Sequence, residues 1–315
     1  MLFRRLGRTD LQVSELSYGA ARGAAKHPER FEAVVRAAID AGINFIDTAA
    51  GYEGGKSEEA LGKVLKGQNN VLIETKYCPY EGYWPGARYT GAPQQLVESV
   101  ETSLRRLQRD HVDVLLGHGI RSLETLERFM ADGCYEAMLR LKQQGKARFI
   151  GISELSEADG THEVLQRAIP TNAFDVVMVT MNMLLQTAAH TVLPLCHEFD
   201  VGTVVMMPLN QPSSDCGLTS VSAALEAVRR LVSQSDLPAA APYTSPDVFD
   251  FLTPHAIPDA ALRYVLAHAI STCCVGTLSV DRMKQNLSAI DPPYLDDFRL
   301  RRIRDLFGGV SRQIR

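Results

Sequence analysis

Short apolar runs rich in β-branched residues recur along the chain, and amphipathic stretches separate them. Eight of these runs are apolar on both faces, which is typical of strands buried in a parallel sheet. The predicted strands cover residues 15–19, 43–48, 70–76, 112–118, 148–153, 174–182, 201–208 and 271–277. Eight strands that alternate with helices favour a closed (β/α)8 TIM barrel, an α/β fold, over an open sheet.

The stretches between the strands carry apolar residues at helical spacing. In residues 28–42 the apolar side chains share one face and the pattern stops at Gly42. Residues 93–110 repeat the same spacing, and residues 135–146 end near Gly145. A glycine just beyond the last turn is common at helix ends. These stretches are therefore predicted to be the helices that cover the barrel.

The length of 315 residues exceeds the ~250 residues of a typical barrel of this kind, which leaves room for long βα loops. Residues 77–93 and residues 209–257 are the two predicted long loops. Because no linker, solenoid-length repeat or low-complexity segment divides the sequence, we expect one domain over residues 1–315.

Composition excludes several classes of protein. The net charge is −4 and no basic tract is present, so nucleic-acid binding is not expected. No apolar run approaches ~18 residues, so neither a membrane span nor a membrane partner is predicted. The six cysteines show no C-x-x-C spacing, so no metal site is expected. Unpaired cysteines in apolar surroundings, without a signal-peptide pattern, favour a cytoplasmic location.

Ionisable residues follow three consecutive predicted strands. Asp47, Lys76 and His118 stand at the carboxyl ends of strands two, three and four, and Tyr52 follows in the loop after strand two. Each has an ordinary structural explanation when taken alone. Catalytic groups gather at the carboxyl ends of barrel strands, so the four together predict an active site.

These four side chains suit the transfer of a proton to or from a carbonyl oxygen. A phenol has a pKa of ~10 and alone is a poor acid at neutral pH. A nearby ammonium lowers that pKa, and a carboxylate can hold the ammonium in place. A histidine can orient a carbonyl oxygen toward the phenol. The set therefore fits a carbonyl that receives a hydride, or the reverse reaction. Acyl transfer is not indicated, because no serine or cysteine is paired with the histidine.

Several motifs in order carry a resemblance to a known family. They are "RRLGRTDLQVSELSYG", "FIDTAAGYEGGKSEEALGKVL", "IETKY", "LLGHGI", "GKARFIGIS" and "GTLSVDRMKQNL". Over nearly its whole length the sequence resembles the aldo-keto reductases. The resemblance implies an N-terminal β-hairpin, Tyr52 as general acid/base with Lys76, Asp47 and His118, and NADP(H) bound without a Rossmann domain.

The resemblance also implies a set of cofactor-binding positions. Near the nicotinamide and pyrophosphate these are Gly19, Ala20, Ala21, Asp47, Ser153, Glu154, Met178, Met206, Pro208, Leu209 and Asn210. At the adenosine end they are Thr277, Arg282, Gln285 and Asn286. Arg282 can pair with a 2′-phosphate, which favours NADP over NAD.

Three of these positions depart from the family pattern. Glu154 replaces the usual asparagine, Met178 the usual glutamine, and Met206 a residue that is often aromatic. An ionised carboxylate can only accept hydrogen bonds. We therefore expect Glu154 to face the carboxamide with one donor fewer, and Ser153 and Met206 to hold the nicotinamide.

The segment "GGKS" is not a phosphate-binding P-loop. The pattern G-x-x-x-x-G-K-[ST] would require glycine at position 50, which is Ala50. Instead, Ser57 is predicted to cap the following helix, with Glu59 in its first turn.

The substrate is less well defined by the sequence. Residues 77–93 are rich in aromatic side chains, and Trp84 is predicted to line a substrate pocket with Tyr52 and His118. Packing of the loop on itself explains the aromatics nearly as well. Three functions stay open for a small-molecule carbonyl or alcohol site. They are an NADPH-dependent reductase, an NAD(P)-dependent sugar or alcohol dehydrogenase, and a cofactor-binding regulatory or redox-neutral barrel.

Overall fold

The structure is a computed structural model, which describes residues 1–81, 87–210, 216–290, 292 and 294–314. The strands found there are β1 (Phe3–Arg5), β2 (Gln12–Ser14), β3 (Leu16–Gly19), β4 (Phe45–Asp47), β5 (Leu72–Tyr77), β6 (Tyr80–Glu81), β7 (Arg88–Tyr89), β8 (Val112–Ile120), β9 (Ala147–Glu154), β10 (Val176–Thr180), β11 (Gly202–Met206) and β12 (Thr272–Val275). The α-helices found there are α1 (Pro28–Asp40), α2 (Lys56–Val64), α3 (Pro93–Leu107), α4 (Leu123–Ala131), α5 (Cys134–Gln143), α6 (Glu163–Ala168), α7 (Thr187–Thr191), α8 (Leu193–Glu198), α9 (Val221–Ser233), α10 (Ile257–Leu266), α11 (Val280–Leu287) and α12 (Asp297–Phe307).

Eight parallel strands close into a barrel. Their order around it is β3, β4, β5, β8, β9, β10, β11 and β12, and β12 pairs with β3 to complete the circle. The predicted (β/α)8 fold is confirmed, and each predicted strand overlaps one barrel strand. β8 runs to Ile120, two residues beyond its predicted end, because its pairing with β9 resumes after an irregularity and joins Ile120 to Glu154.

The hairpin of β1 and β2 covers the amino-terminal end of the barrel. Leu6, Leu11 and Val13 are buried in one cluster with side chains inside the barrel, such as Val114 and Val204. Backbone hydrogen bonding fixes the hairpin to the chain just before β11, where the N–H of Arg8 donates to the carbonyl of Asp200 at 2.7 Å. The opposite, carboxyl end is thereby left as the open mouth.

The covering helices follow the predicted apolar spacing. In α1 the buried side chains are Phe31, Val34, Val35 and Ala38. The chain leaves this helix through Gly42, whose φ of +96° suits glycine. In the same way α3 buries the leucine face that the sequence indicated.

Ser57 does not cap α2, so that prediction is wrong. The helix begins at Lys56, and Gly55 in a left-handed conformation occupies the cap position. The Ser57 hydroxyl instead donates to the carbonyl of Ala20 at 2.6 Å and contacts the Thr48 hydroxyl at 2.8 Å. A polar side chain in the first turn is thus used to bind α2 to the ends of β3 and β4.

Both long βα loops contain secondary structure. The loop after β5 forms the small hairpin of β6 and β7, and the loop after β11 contains α9. In the part of the chain that the structure describes, every helix is too short or too polar to cross a membrane.

Candidate active site

Asp47 and Lys76 form a buried ion pair at the mouth of the barrel. Asp47 ends β4 and Lys76 lies one residue before the end of β5, so both side chains reach the same end of the sheet. The Lys76 Nζ donates to Asp47 Oδ1 and also to the carbonyl of Thr48 at 2.7 Å. Because the Lys76 side chain is fully buried, these contacts fix its ammonium group.

Tyr52 is placed next to this pair by a tight turn. The turn Tyr52–Gly55 is a 3-10 segment that directly precedes α2. The Tyr52 hydroxyl lies 3.4 Å from Lys76 Nζ. The next residue, Glu53, accepts hydrogen bonds from the backbone N–H groups of Gly23 and Ala25, at 3.0 and 2.9 Å. The loop that carries Tyr52 is therefore fastened to the loop after β3.

His118 faces Tyr52 across the mouth. The two rings meet edge to face, with centroids 5.7 Å apart and an interplanar angle of 81°. His118 sits in the irregular part of β8, and Gly119 beside it has a φ of +66°. Val114 and Leu116 of the same strand lie in the cluster inside the barrel, so the alternation of β8 places His118 on this inner face. The N–H of Gly119 donates to Ser153 Oγ at 2.8 Å, which supports this geometry.

The electrostatics of the phenol differ from the expectation in one respect. Burial raises the pKa of Tyr52 to about 12, although the Lys76 ammonium opposes this rise. The ammonium acts in the predicted direction, but desolvation of a phenolate outweighs it. For Lys76 itself, burial disfavours the charge, while Asp47 and Tyr52 more than compensate and raise the pKa. Tyr52 is thus a phenol, and Lys76 an ammonium, at neutral pH.

His118 is a neutral imidazole at neutral pH. Burial, together with the Lys76 ammonium, lowers the pKa of His118 to about 3. A neutral ring keeps one N–H donor and one acceptor nitrogen. The structure therefore brings the four predicted catalytic side chains together as a phenol, an ammonium, a carboxylate and a neutral imidazole.

Several predicted nicotinamide positions lie around the same mouth. Gly19 ends β3, Ala20 follows it, and the N–H of Ala20 donates to the Asp47 carbonyl at 2.8 Å. Ser153 is buried on β9, and its hydroxyl hydrogen stays available because the oxygen accepts from Gly119. Met206 ends β11 and is partly buried against the cluster inside the barrel. Ala21 is half-buried in the loop after β3.

Glu154 does not face this mouth, and the expectation for it is corrected. Its side chain is fully buried, and its carboxylate accepts from the N–H of Thr180 at 2.8 Å and contacts His162 Nδ1 at 2.7 Å. Successive residues of a strand point to opposite faces, so Ser153 and Glu154 cannot both point inward. Burial raises the pKa of Glu154, and His162 opposes the rise. At the position where the family usually has an asparagine, this chain therefore has a carboxylate that makes its contacts inside the protein.

Met178 also lies inside the protein rather than at an open surface. It is buried in the cluster within the barrel, with Val176 and Val204 among its neighbours. A role for Met178 in cofactor binding stays a prediction.

The predicted pyrophosphate and adenosine positions lie beyond β11 and β12. Pro208 and Leu209 form a turn. Asn210 is buried, and its side-chain NH₂ has no hydrogen-bond partner among the described residues. A buried donor without a partner fits a group that accepts hydrogen bonds, such as a phosphate oxygen.

The amino end of α11 offers a second place for phosphate. Thr277 precedes the helix, Ser279 caps it by accepting from the N–H of Arg282, and Arg282 and Gln285 are exposed. Asn286 of the same helix is buried. Backbone N–H groups and a cation at a helix start are favourable for an anion.

The predicted substrate residue Trp84 lies outside the described residues. Of the other aromatics in that loop, Tyr80 and Tyr89 pack edge to face with centroids 6.0 Å apart. Arg121 stacks on Tyr80 and Arg128 on Tyr89, at 4.2 and 4.3 Å from the ring centroids. In the described part of this loop, the aromatics serve to hold the β6–β7 hairpin against α4 and the end of β8.

Two carboxyl groups near the mouth were missed from the sequence. Glu58 is buried, accepts from the Thr75 hydroxyl at 2.7 Å and pairs with Arg106 at 3.3 Å. Glu74 is fully buried, two residues before Lys76 on the same strand. The alternation of β5 could have revealed it, because positions 74 and 76 share one face.

Comparison with known proteins gives consistent matches. The model of the Aldo/keto reductase family matches residues 15–306. The L-galactose dehydrogenase of Arabidopsis thaliana is 32% identical over 306 residues, which cover 91% of this chain and 87% of that protein. Aldo-keto reductase AKR11C1 from Bacillus halodurans, in its holo form, superimposes with a TM-score of 0.75 at 26% identity, covering 98% of this chain and 96% of that one.

A further solved structure has the same fold. An aldo-keto reductase from Klebsiella pneumoniae, solved in complex with NADPH, has a TM-score of 0.69 at 22% identity and covers 100% of this chain and 98% of that one. At this identity the likeness concerns the fold alone.

Proposed function

The chain belongs to the aldo/keto reductase family, and on that premise we propose that it is an NADPH-dependent reductase of aldehydes or ketones. The observation that carries this proposal is the contact of Tyr52 with Lys76 beside a neutral His118. When bound, NADPH supplies a hydride to the carbonyl carbon. Each side chain of the site then has a separate task at the carbonyl oxygen.

Tyr52 donates the proton. With a pKa of about 12 the phenol keeps its proton through the neutral range, so the acid form is always present. The Lys76 ammonium, 3.4 Å from the hydroxyl, stabilises the negative charge that develops on the phenol oxygen as the proton leaves. Asp47 holds that ammonium in position and keeps it charged.

His118 orients the substrate. As a neutral ring at the edge of Tyr52 it can donate one N–H to the carbonyl oxygen and direct it toward the phenol. A neutral imidazole adds no charge to the site and does not compete with Tyr52 as acid.

We propose that NADPH is held at three places. The Ser153 hydroxyl and Met206 would contact the nicotinamide, and Asn210 would donate to the pyrophosphate. Thr277, Arg282 and Gln285 would bind the adenosine phosphate. Two observations support this placement: the buried Asn210 donor has no partner among the described residues, and Arg282 is an exposed cation at the start of α11.

Replacing Tyr52 by phenylalanine tests the mechanism. We expect Tyr52→Phe to lower kcat by about 10²–10⁴-fold, because the ring still packs but the proton donor is lost. Stopped turnover with unchanged thermal unfolding and an unchanged Kd for NADPH is the expected result. Near-normal kcat with any reducible carbonyl would show that Tyr52 is not the acid.

A sugar dehydrogenase is the second candidate. The likeness to L-galactose dehydrogenase over 91% of this chain favours it. In that direction Tyr52 must first lose its proton, so its raised pKa makes oxidation increase steeply with pH. Panels of carbonyls with NADPH and of aldoses with NADP and NAD, each measured across pH, would separate the two functions.

A further inference from the structure

Glu74 is a buried carboxyl group that the proposed mechanism does not use. It lies on β5 in register with Asp47 of β4, and it is completely shielded from solvent. It shares a face of the strand with Lys76, which is two residues further on. The side chain therefore lies inside the barrel, beneath the catalytic residues.

The carboxyl group of Glu74 has no hydrogen-bond partner among the described residues. Neither of its carboxyl oxygens accepts a hydrogen bond there. Asp47, the residue in register with Glu74 on β4, brings a second carboxyl group alongside it. Two ionised carboxylates can only accept, so a hydrogen bond between them requires a proton on one of the two.

The charged and titratable groups near Glu74 come from three strands. Asp47 lies on β4, Lys76 on its own strand, and the buried thiol of Cys274 on β12. From β8, the residue in register with Glu74 is the apolar Val114. One ammonium therefore faces two carboxyl groups. Since Lys76 Nζ contacts Asp47 directly, Asp47 is the carboxylate that it neutralises.

We propose that Glu74 is a positioning residue that keeps its proton and donates it in a hydrogen bond to Asp47. This inference rests on the proposed role of Tyr52 as acid. With Glu74 neutral, Asp47 and Lys76 sum to zero charge. The site then gains a single negative charge when Tyr52 gives up its proton. An ionised Glu74 would add a second negative charge and oppose that step.

Burial in the barrel favours the protonated form of Glu74. Desolvation, and then the negative charge of Asp47, hold the pKa of Glu74 well above its usual range, while Lys76 opposes them. A carboxylic acid kept neutral so that it can donate a hydrogen bond is a known device at the active sites of other enzymes. The hydrogen bond also occupies part of Asp47, which limits how far that carboxylate draws Lys76 away from Tyr52.

The proton can be detected directly in the resting protein. We expect the infrared spectrum at neutral pH to contain the carbonyl stretch of a protonated carboxylic acid, and Glu74→Gln to lack it. This measurement does not depend on turnover. It therefore stands even if Tyr52→Phe were to overturn the proposed function. Identical spectra of the two proteins in that region would overturn the inference.

Two substitutions separate hydrogen bonding from charge. Glu74→Gln keeps a donor and the neutral charge, so its pH–rate profile should shift by less than about half a unit. Glu74→Leu removes the donor, and kcat should fall about tenfold with little change in KM. A shift of a unit or more toward low pH in Glu74→Gln would mean that Glu74 is ionised.

A matched control comes from the same barrel interior. Thr272 on β12 has a buried hydroxyl without a partner among the described residues, and Thr272→Val should leave kcat and the pH profile unchanged. Glu74→Leu must therefore differ from Thr272→Val in kcat and not merely in thermal stability. If both variants lose stability alone, Glu74 has no role in positioning. Should Glu74→Leu fail to fold, the infrared comparison decides.

Discussion

Arg282 is an exposed cation, and its position at the start of α11 gives it a specific expected effect. If it binds the 2′-phosphate, Arg282→Ala should weaken NADPH binding by about 1.5–3 kcal/mol and leave NADH almost unchanged. Fluorescence titration with both cofactors measures this difference. Lys284→Ala removes an equal charge from the same helix and is the control. Equal weakening of both cofactors would show that Arg282 does not recognise the phosphate.

Glu154 contacts His162 and the N–H of Thr180 inside the protein, so we expect it to contribute to stability and not to cofactor binding. Glu154→Ala leaves His162 and the Thr180 N–H without their buried partner. We expect the free energy of unfolding to fall by about 3 kcal/mol, with the Kd for NADPH little changed. Urea unfolding measures the loss, and the exposed Glu163→Ala is the control. Weaker cofactor binding at unchanged stability would return Glu154 to the cofactor site.

At the scale of elements, the turn before α2 determines where Tyr52 lies. Gly55 has a φ of +91°, and a Cβ there would lie 2.2 Å from the Arg106 guanidinium carbon. Gly54 also has a positive φ, of +66°, but open space surrounds it. Both glycines therefore have a positive φ that disfavours other residues, but only at Gly55 would an added Cβ also clash with a neighbour.

Gly55→Ala should consequently cost more than Gly54→Ala. We expect about 1 kcal/mol for Gly54→Ala from backbone strain alone. Gly55→Ala should lose about 2–3 kcal/mol and part of kcat, because Arg106 must move and the turn that holds Tyr52 moves with it. Thermal unfolding and single-turnover rates of the two variants provide the measurement. Equal losses would mean that Arg106 adapts without effect on the turn.

On the scale of the whole molecule, the barrel is closed at one end by the hairpin and open at the other. Leu6 is fully buried between the hairpin and the barrel, whereas Leu2 is 51% exposed. Leu6→Ala should lower the free energy of unfolding by about 2–5 kcal/mol because it leaves a cavity beneath the barrel. At temperatures where the protein stays folded, kcat should be unchanged, since the proposed active site lies at the far end of the barrel. Leu2→Ala is the control. If it lowers the free energy of unfolding as much as Leu6→Ala does, burial of Leu6 under the barrel is not the cause of the loss.

Much of the fold could be predicted from the sequence, because barrel strands carry a local signal. Each strand is buried on both faces, so its apolar run stands out without knowledge of its neighbours. The glycines that end α1 and α5 could also be predicted from the sequence, because a positive φ at a helix end is a local requirement that glycine meets. Residues 1–315 as one domain stays a prediction.

The gathering of Asp47, Tyr52, Lys76 and His118 also followed from sequence. Parallel strands bring their carboxyl ends to one mouth, so position along each strand was sufficient. The roles of these side chains, and of the cofactor positions, remain proposals. Trp84 stays a prediction about residues that the structure does not describe.

Only the tertiary structure decided which face and which partner each polar side chain took. The Glu154 side chain contacts His162, and the Ser57 hydroxyl donates to the carbonyl of Ala20 instead of capping α2. The net pKa of Tyr52 depended on burial as well as on its ammonium neighbour. The pairing of β4 with β5 placed Asp47 opposite Glu74. Sequence determines the period of an element, but burial and charge pairing depend on residues far away in the chain that folding brings within a few ångströms.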